Sequence, residues 1–260
     1  MQTETVIRHI VSWLDDYCRT SGMNGFVVGV SGGIDSAVVS TLCARTERAV
    51  LAMNMPIYQS SRQETLSDRH IGDLKKRYSN VERVKIDLTK VVQSLEHVLP
   101  KGIQDGLTMA NMRSRIRMVT LYAFAGHHRM LVVGTGNKVE DFGVGFFTKY
   151  GDGGVDISPI GDLYKSEVYE LGRTLGVDRD ILNVAPTDGL WMDNRTDESQ
   201  IGASYEELEW AMKVDRHATR EENLSDRQKE VLEIYRNFNE TNRHKMEPVP
   251  VCHIPEAFRR

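Results

Sequence analysis

The sequence predicts an α/β fold, a doubly wound parallel sheet with helices on both of its faces, and three observations carry that prediction. Short β-rich apolar runs at Phe26–Val30, Ala49–Met53 and Met130–Val133 alternate with longer stretches of helical periodicity. The first run has no polar alternate, as a strand buried on both faces requires. Two of the runs lead into glycine-rich turns, Ser31-Gly32-Gly33 and Gly134-Thr135-Gly136, of the kind that follow a strand.

Taken in order, Val6, Ile7, Ile10, Val11, Leu14, Tyr17 and Cys18 fall on one helical stripe, and Ser21–Gly25 stops that helix with two glycines and an asparagine. After the first strand and its turn, Ala37–Ala44 reads as a helix. Ala49–Met53 is the second strand, closed by Pro56. Residues 62–78 have the polarity of a surface helix, and Val81–Ile86 alternates like a strand. Residues 108–126 form a Met- and Arg-rich helix that precedes the strand at Met130–Val133. Residues 188–204 are polar and charged and read as a mobile loop; 205–239 are helical again. With no internal repeat and no Pro/Ser linker, residues 1–260 are expected to form one domain with a helical C-terminal region over about 205–260.

The composition is that of an ordinary globular chain. Lys plus Arg number 33 against 37 Asp plus Glu, a net charge of −4, which argues against a general nucleic-acid binder. No apolar run approaches the length of a membrane helix, and Glu4, Arg8, Asp15 and Asp16 interrupt the first hydrophobic stretch, which does not read as a signal peptide. Three widely spaced cysteines, Cys18, Cys43 and Cys252, fit neither a disulfide framework nor a zinc site. The expectation is a soluble, cytoplasmic protein with reduced thiols.

The sharpest chemical signal is Gly29-Val30-Ser31-Gly32-Gly33-Ile34-Asp35-Ser36, set between a strand and a helix. Its glycines let backbone N–H groups approach an anion, the helix N-terminus points at the same place, and Ser31 and Ser36 add hydroxyl donors. The pattern is neither a Walker loop nor Gly-x-Gly-x-x-Gly. Asp35 beside phosphates calls for an intervening cation, so Mg²⁺ is expected. The plainer alternative is a strand-to-helix turn in which Asp35 and Ser36 are only caps. A second constellation spans residues 131–167. Gly134-Thr135-Gly136 follows a strand, Glu140 is a second hard oxygen ligand, and Lys149, Asp152 and Asp156 punctuate a glycine-dense loop suited to a hydroxyl-rich ligand. Lys165 is a point charge for a phosphate. Any one of these charges alone could equally sit on a solvated turn.

Ser31–Ser36 resembles the Ser-Gly-Gly-x-Asp-Ser signature of the N-type ATP pyrophosphatases. Phe146-Phe-Thr-Lys-Tyr-Gly-Asp-Gly-Gly-Val-Asp156 narrows the resemblance to the NAD synthetase family, and similarity extends over most of residues 1–250. Asn111–Met118 resembles that family's dinucleotide-contacting helix, Ala185–Thr187 its ATP-contacting turn, and His244-Lys245 its C-terminal substrate pair. The resemblance implies an adenine nucleotide alpha hydrolase-like, Rossmann-like fold. It also implies that Gly29–Ser36, Thr135, Lys165 and Thr187 contact ATP, that Asp35 and Glu140 hold magnesium, and that Arg115, Lys149, Asp156, His244 and Lys245 contact deamido-NAD. Two departures stand out. The chain carries one more residue between Glu140 and Phe146 than many relatives, and Asn54-Met55-Pro56 lacks an arginine that some relatives place near the adenosine. His244 and His217 also fit as ordinary surface histidines.

The activity this resemblance implies is ATP-dependent amidation of the deamido-NAD carboxylate, through an adenylylated intermediate, to NAD, AMP and pyrophosphate. Glutamine-dependent relatives carry an added glutaminase domain for which there is no room before the phosphate loop. Ammonia is therefore the expected nitrogen source, with a separate glutaminase partner left open. A homodimer is implied, with the dinucleotide near its interface; nucleic acid and membrane are not expected partners. Residues 188–202 are expected to act as a lid. The rival readings are a transfer-RNA modifier of the same fold and a non-catalytic nucleotide sensor. The first lacks an RNA-binding extension here. The second would normally have lost Asp35, Glu140 or Lys165, all of which are present.

Overall fold

The computed structural model describes residues 1–58, 61–187, 189–190, 195–216 and 224–259. The chain begins with α1 (Thr3–Thr20), whose buried side chains Ile7, Ile10, Leu14 and Cys18 are the stripe expected from sequence. It then alternates β1 (Gly25–Gly29), α2 (Ile34–Ala44), β2 (Ala49–Asn54), α3 (Ser61–Arg77), β3 (Val81–Lys85), α4 (Thr89–Val98), α5 (Gly106–His128) and β4 (Leu131–Val133). A π-helical turn at Val139–Val144 follows, then α6 (Lys165–Leu175), α7 (Arg179–Leu182), α8 (Asp197–Ile201), α9 (Tyr205–Arg216) and α10 (Asp226–Met246).

All strand pairs are parallel and the order is β3-β2-β1-β4. The chain winds outward from β1 to β3, then returns to place β4 on the other side of β1. The gap between β1 and β4 is thus the switch point of the sheet, where ligands bind in open α/β folds. The register pairs Val27 with both Leu51 and Val132, so β1 is central and needs apolar residues on both faces. One face is covered by α1, α2, α3 and α6 in a core that includes Leu14, Phe26, Val38, Leu42, Ile71 and Leu171. The other is covered by α4 and α5 around Val27, Met53, Val92 and Val132. A separate cluster joins α9 and α10 to the π-helical turn through Val139, Val144, Leu208, Ala211 and Leu232.

Two differences from the sequence expectations have simple causes. The helix at 62–78 is not only a surface helix: Leu66, Ser67, His70, Ile71 and Leu74 form a buried inner face whose two polar members mask it in the sequence. Within 188–204, the structure forms α8, capped where Thr196 Oγ1 accepts from the Ser199 N–H at 3.1 Å, with Asp197 and Ile201 buried.

The polar members of α3 tie it to the first turn of the fold. Ser67 donates to the Val30 carbonyl at 2.7 Å, and His70 Nε2 lies 3.0 Å from Ser40 Oγ on α2. His70 is only 4% exposed, and burial pushes its pKa down to about 4. A histidine held neutral in the folded state but basic when unfolded makes stability fall as pH drops from the unfolded value toward the folded one. The expected loss between pH 7 and pH 5 is about 2 kcal/mol from this group alone. Urea unfolding of His70→Gln at both pH values checks this: the variant should lose about 2 kcal/mol less than the parent over that interval. An unchanged pH dependence would contradict the buried neutral state.

Candidate active site

Beyond the carboxyl ends of β1, β2 and β4 lies a cleft with a cavity of about 250 Å³. Its floor is apolar, from Met53, Met55, Met118, Leu121, Val133 and Val155, and its rim is polar.

At the inner end sit two carboxylates and one ammonium. Asp35 comes from the first turn of α2, Glu140 from the π-helical turn after β4, and Lys165 from the first residue of α6. Lys165 Nζ donates to Asp35 Oδ2 at 2.6 Å and to Glu140 Oε1 at 3.0 Å, with its side chain only 3% exposed. Burial alone would strip its proton; the two carboxylates outweigh that and hold its pKa up. Burial pushes the Asp35 carboxyl up against the pull of Lys165, with Glu140 adding to the rise. Glu140 is also desolvated, but Lys165 and a hydrogen bond from Tyr205 outweigh this and hold it below its ordinary value. Nearby Asp141 is raised well above its usual range by burial and by the neighbouring acids.

Each member of the triad is braced. Asn137, wholly buried, donates to Asp35 Oδ1 at 3.1 Å while its own oxygen accepts from the N–H groups of Val139 and Glu140 at 3.0 and 3.3 Å. Glu209 on α9 accepts from the Ser166 N–H at 2.9 Å and its hydroxyl at 2.7 Å, so an acid caps the N-terminus of α6 and fixes where Lys165 starts. Tyr205 donates its hydroxyl to Glu140 Oε1 at 2.6 Å, lies 3.1 Å from Asp197 Oδ2, and places its ring 4.6 Å from the Lys165 ammonium. The π-helical turn holds Glu140 beside Lys165. A Cβ at Gly136 would lie 2.1 Å from the Asp141 carboxylate, which would then have to shift.

The glycine loop lines the cleft from Gly29 to Ser36. Gly32 has φ +91°, which a side chain would strain, and the loop is closed on itself by the Ser31 N–H donating to Ser36 Oγ at 3.2 Å and the Gly33 N–H donating to Ser31 Oγ at 3.2 Å. Thr135 and Thr187 also line the cleft. Thr187 donates to the Arg195 carbonyl at 3.0 Å, and Arg113 on α5 holds the Leu190 carbonyl at 2.5 Å. Of the segment expected to form a lid, residues 188 and 191–194 lie outside the described residues, as does His217.

A second, basic group gathers around the loop 147–151. Arg115 Nε donates to the Lys149 carbonyl at 3.3 Å, Lys149 Nζ donates to the His244 carbonyl, and Lys245 Nζ donates to the Phe147 carbonyl at 2.9 Å. Burial lowers the Lys245 pKa. Asp152 is structural: it accepts from Ser114 Oγ at 2.6 Å and the Thr148 N–H at 3.0 Å, pinning the loop to α5. Asp156 is not brought into this group. It stands at the outer edge of β4, accepting from Tyr122 Oη at 3.0 Å and the Val132 N–H at 2.8 Å.

Sequence reasoning left several of these residues unassigned. Asn137 lies inside the constellation of residues 131–167, where its type alone signals nothing. Arg117 belongs to the arginine-rich helix, and its Nε reaches the Met55 carbonyl at 3.1 Å, beside the strand end that lacks an arginine of its own. Tyr205, Asp197 and Glu209 carried no motif.

The chain is similar to known proteins over nearly its whole length. The model of the family described as NAD synthase matches residues 6–249. The NH(3)-dependent NAD(+) synthetase of Archaeoglobus fulgidus is 36% identical over 99% of this chain and 100% of its own length, and that of Methanosarcina acetivorans is 35% identical over the same shares. Among solved structures, NMN synthetase from Francisella tularensis superposes with a TM-score of 0.86 at 30% identity, covering 98% of this chain and 100% of that one. The NH3-dependent NAD synthetase of Campylobacter jejuni does so at 0.80 and 26%, covering 97% and 100%. The chain belongs to the NAD synthase family.

Proposed function

We infer that the chain catalyses ATP-dependent amidation of deamido-NAD by ammonia, giving NAD, AMP and pyrophosphate. The observation that carries this reading is the Asp35–Lys165–Glu140 triad beside the phosphate loop in a chain of this family.

We assign the loop Gly29–Ser36 with Thr135, Lys165 and Thr187 to ATP. Arg115, Lys149, His244 and Lys245 go to the nicotinate nucleotide, whose phosphate and carboxylate suit a basic group. Asp35 and Glu140 are assigned to Mg²⁺. The donor set fits that ion: two converging carboxylates with a surplus of buried negative charge, to be completed by phosphate oxygens. When bound, Mg²⁺ supplies charge neutralisation on the polyphosphate.

A carboxylate is a poor acyl donor because oxide would have to leave. Attack of a carboxylate oxygen on the α-phosphorus makes AMP the leaving group, and pyrophosphate departs. Neutral ammonia then adds to the acyl carbon, and AMP leaves with the carboxylate oxygen. Lys165 serves the first step by turning from the carboxylates to the departing phosphates, and the N–H groups of the loop stabilise the same charge. The apolar floor excludes water, which would otherwise hydrolyse the acyl adenylate.

The nitrogen comes as ammonia, free or from a separate glutaminase. We propose that residues 1–260 work as one unit in a cytoplasmic homodimer. The place of Asp156 beside Tyr122 of α5 suits a contact to the far end of a dinucleotide at such an interface. No helix among the described residues is long and apolar enough to cross a membrane. A second reading takes nicotinate mononucleotide as the acyl donor, and it is favoured by the likeness to NMN synthetase.

Incubation with ATP, Mg²⁺, ammonium and either nucleotide should give AMP and pyrophosphate in one-to-one amounts with amide product, with deamido-NAD the better substrate by kcat/KM. ADP and phosphate as products would refute the adenylyl-transfer reading. At fixed total ammonium, the rate should rise from about pH 7 to about pH 8.5 as neutral ammonia increases, and glutamine alone should support little turnover. Lys149→Ala should raise KM for the nucleotide about tenfold, in line with loss of a charged hydrogen bond, while leaving KM for ATP unchanged.

A further inference from the structure

We propose that Tyr205 is a positioning residue that fixes the Glu140 carboxylate for the metal–ATP complex through its hydroxyl. The inference rests on the reading of Asp35 and Glu140 as metal ligands. The hydroxyl lies 2.6 Å from Glu140 Oε1, the same oxygen that Lys165 contacts at 3.0 Å. Once Lys165 turns to the phosphates, that oxygen loses its cationic partner, and the tyrosine remains as a neutral donor that does not compete for the metal by charge. A donor behind a ligating carboxylate sets its orientation.

Tyr205 is well placed to hold still. It is 6% exposed, packs in the cluster of Val139, Val144 and Leu208, and donates its own N–H to Glu198 Oε1 at 2.8 Å. Its oxygen also lies 3.1 Å from Asp197 Oδ2 on α8, the element that follows the Pro186–Thr187 turn lining the cleft, while its one proton goes to the nearer Glu140. A residue needed only for packing would have no use for a hydroxyl set between two carboxylates in an apolar cluster, since a buried polar group is costly unless bonded.

Mn²⁺ binding to the full chain, followed by electron paramagnetic resonance with α,β-methylene-ATP present, tests this in four proteins: parent, Tyr205→Phe, Glu140→Gln and the double variant. Tyr205→Phe should melt close to the parent temperature, bind Mn²⁺ about tenfold more weakly, and raise the metal half-saturation for turnover more than it lowers kcat at saturating metal. In the Glu140→Gln background it should cause no further loss of affinity. Parent-like Mn²⁺ affinity in Tyr205→Phe, or the same tenfold loss in both backgrounds, would overturn the inference. Tight Mn²⁺ binding by Glu140→Gln, or none by the parent, would instead remove Glu140 as a ligand and take the inference with it.

Discussion

Burying an ammonium between two carboxylates is the constraint on which the rest of the molecule depends. Each ion taken out of water costs several kcal/mol after relaxation, and only close geometry with every remaining lone pair satisfied offsets that cost. Asp35, Glu140 and Lys165 are separated by 105 and 25 residues, and the parallel sheet brings them together. Because β4 returns to the flank of β1, the helix after β1 and the turn after β4 open on the same gap. Asn137, Glu209 and Tyr205 then fix one partner each. The C-terminal helices are part of this arrangement, since two of those three braces lie on α9.

The triad also explains how the cleft can be poised without being rigid. Lys165 neutralises the carboxylates, and on the proposed assignment the same charge would serve the polyphosphate. The basic group at Arg115, Lys149 and Lys245 is spatially separate and lies around the loop 147–151, which Asp152 and Ser114 pin to α5. On the proposed assignment, two anionic molecules would be held with their reacting ends facing one another, and much of the rate enhancement in such a reaction comes from that positioning.

Much of this was legible in the sequence because its signals are local. The loop Gly29–Ser36 is contiguous, and its glycines and acid state their purpose by type and order. Continuous apolar runs at Phe26–Val30 and Met130–Val133 announced buried parallel strands, though not the order in which they pair. Glu140 was readable as a hard oxygen donor by type, yet its contact with Lys165, 25 residues on, appears only once the chain is folded. Tyr205 was not readable at all: it opens a helix like any aromatic residue, and its partner is 65 residues away. His70 and Ser67 hid the buried face of α3 for a related reason, because polar types are satisfied inside the protein by carbonyls and hydroxyls that local sequence does not reveal.

The arrangement of phosphate loop, triad and basic group has meaning only if a carboxylate oxygen of the nucleotide takes the adenylyl group inside the cleft. One atom can be followed to test this directly. Deamido-NAD carrying ¹⁸O in both carboxylate oxygens is turned over with ATP, Mg²⁺ and ammonia, and the products are weighed by mass spectrometry. One ¹⁸O is expected in AMP and the other in the amide of NAD, with none in pyrophosphate. Label-free AMP, or label in pyrophosphate or phosphate, would contradict adenylyl transfer to the carboxylate.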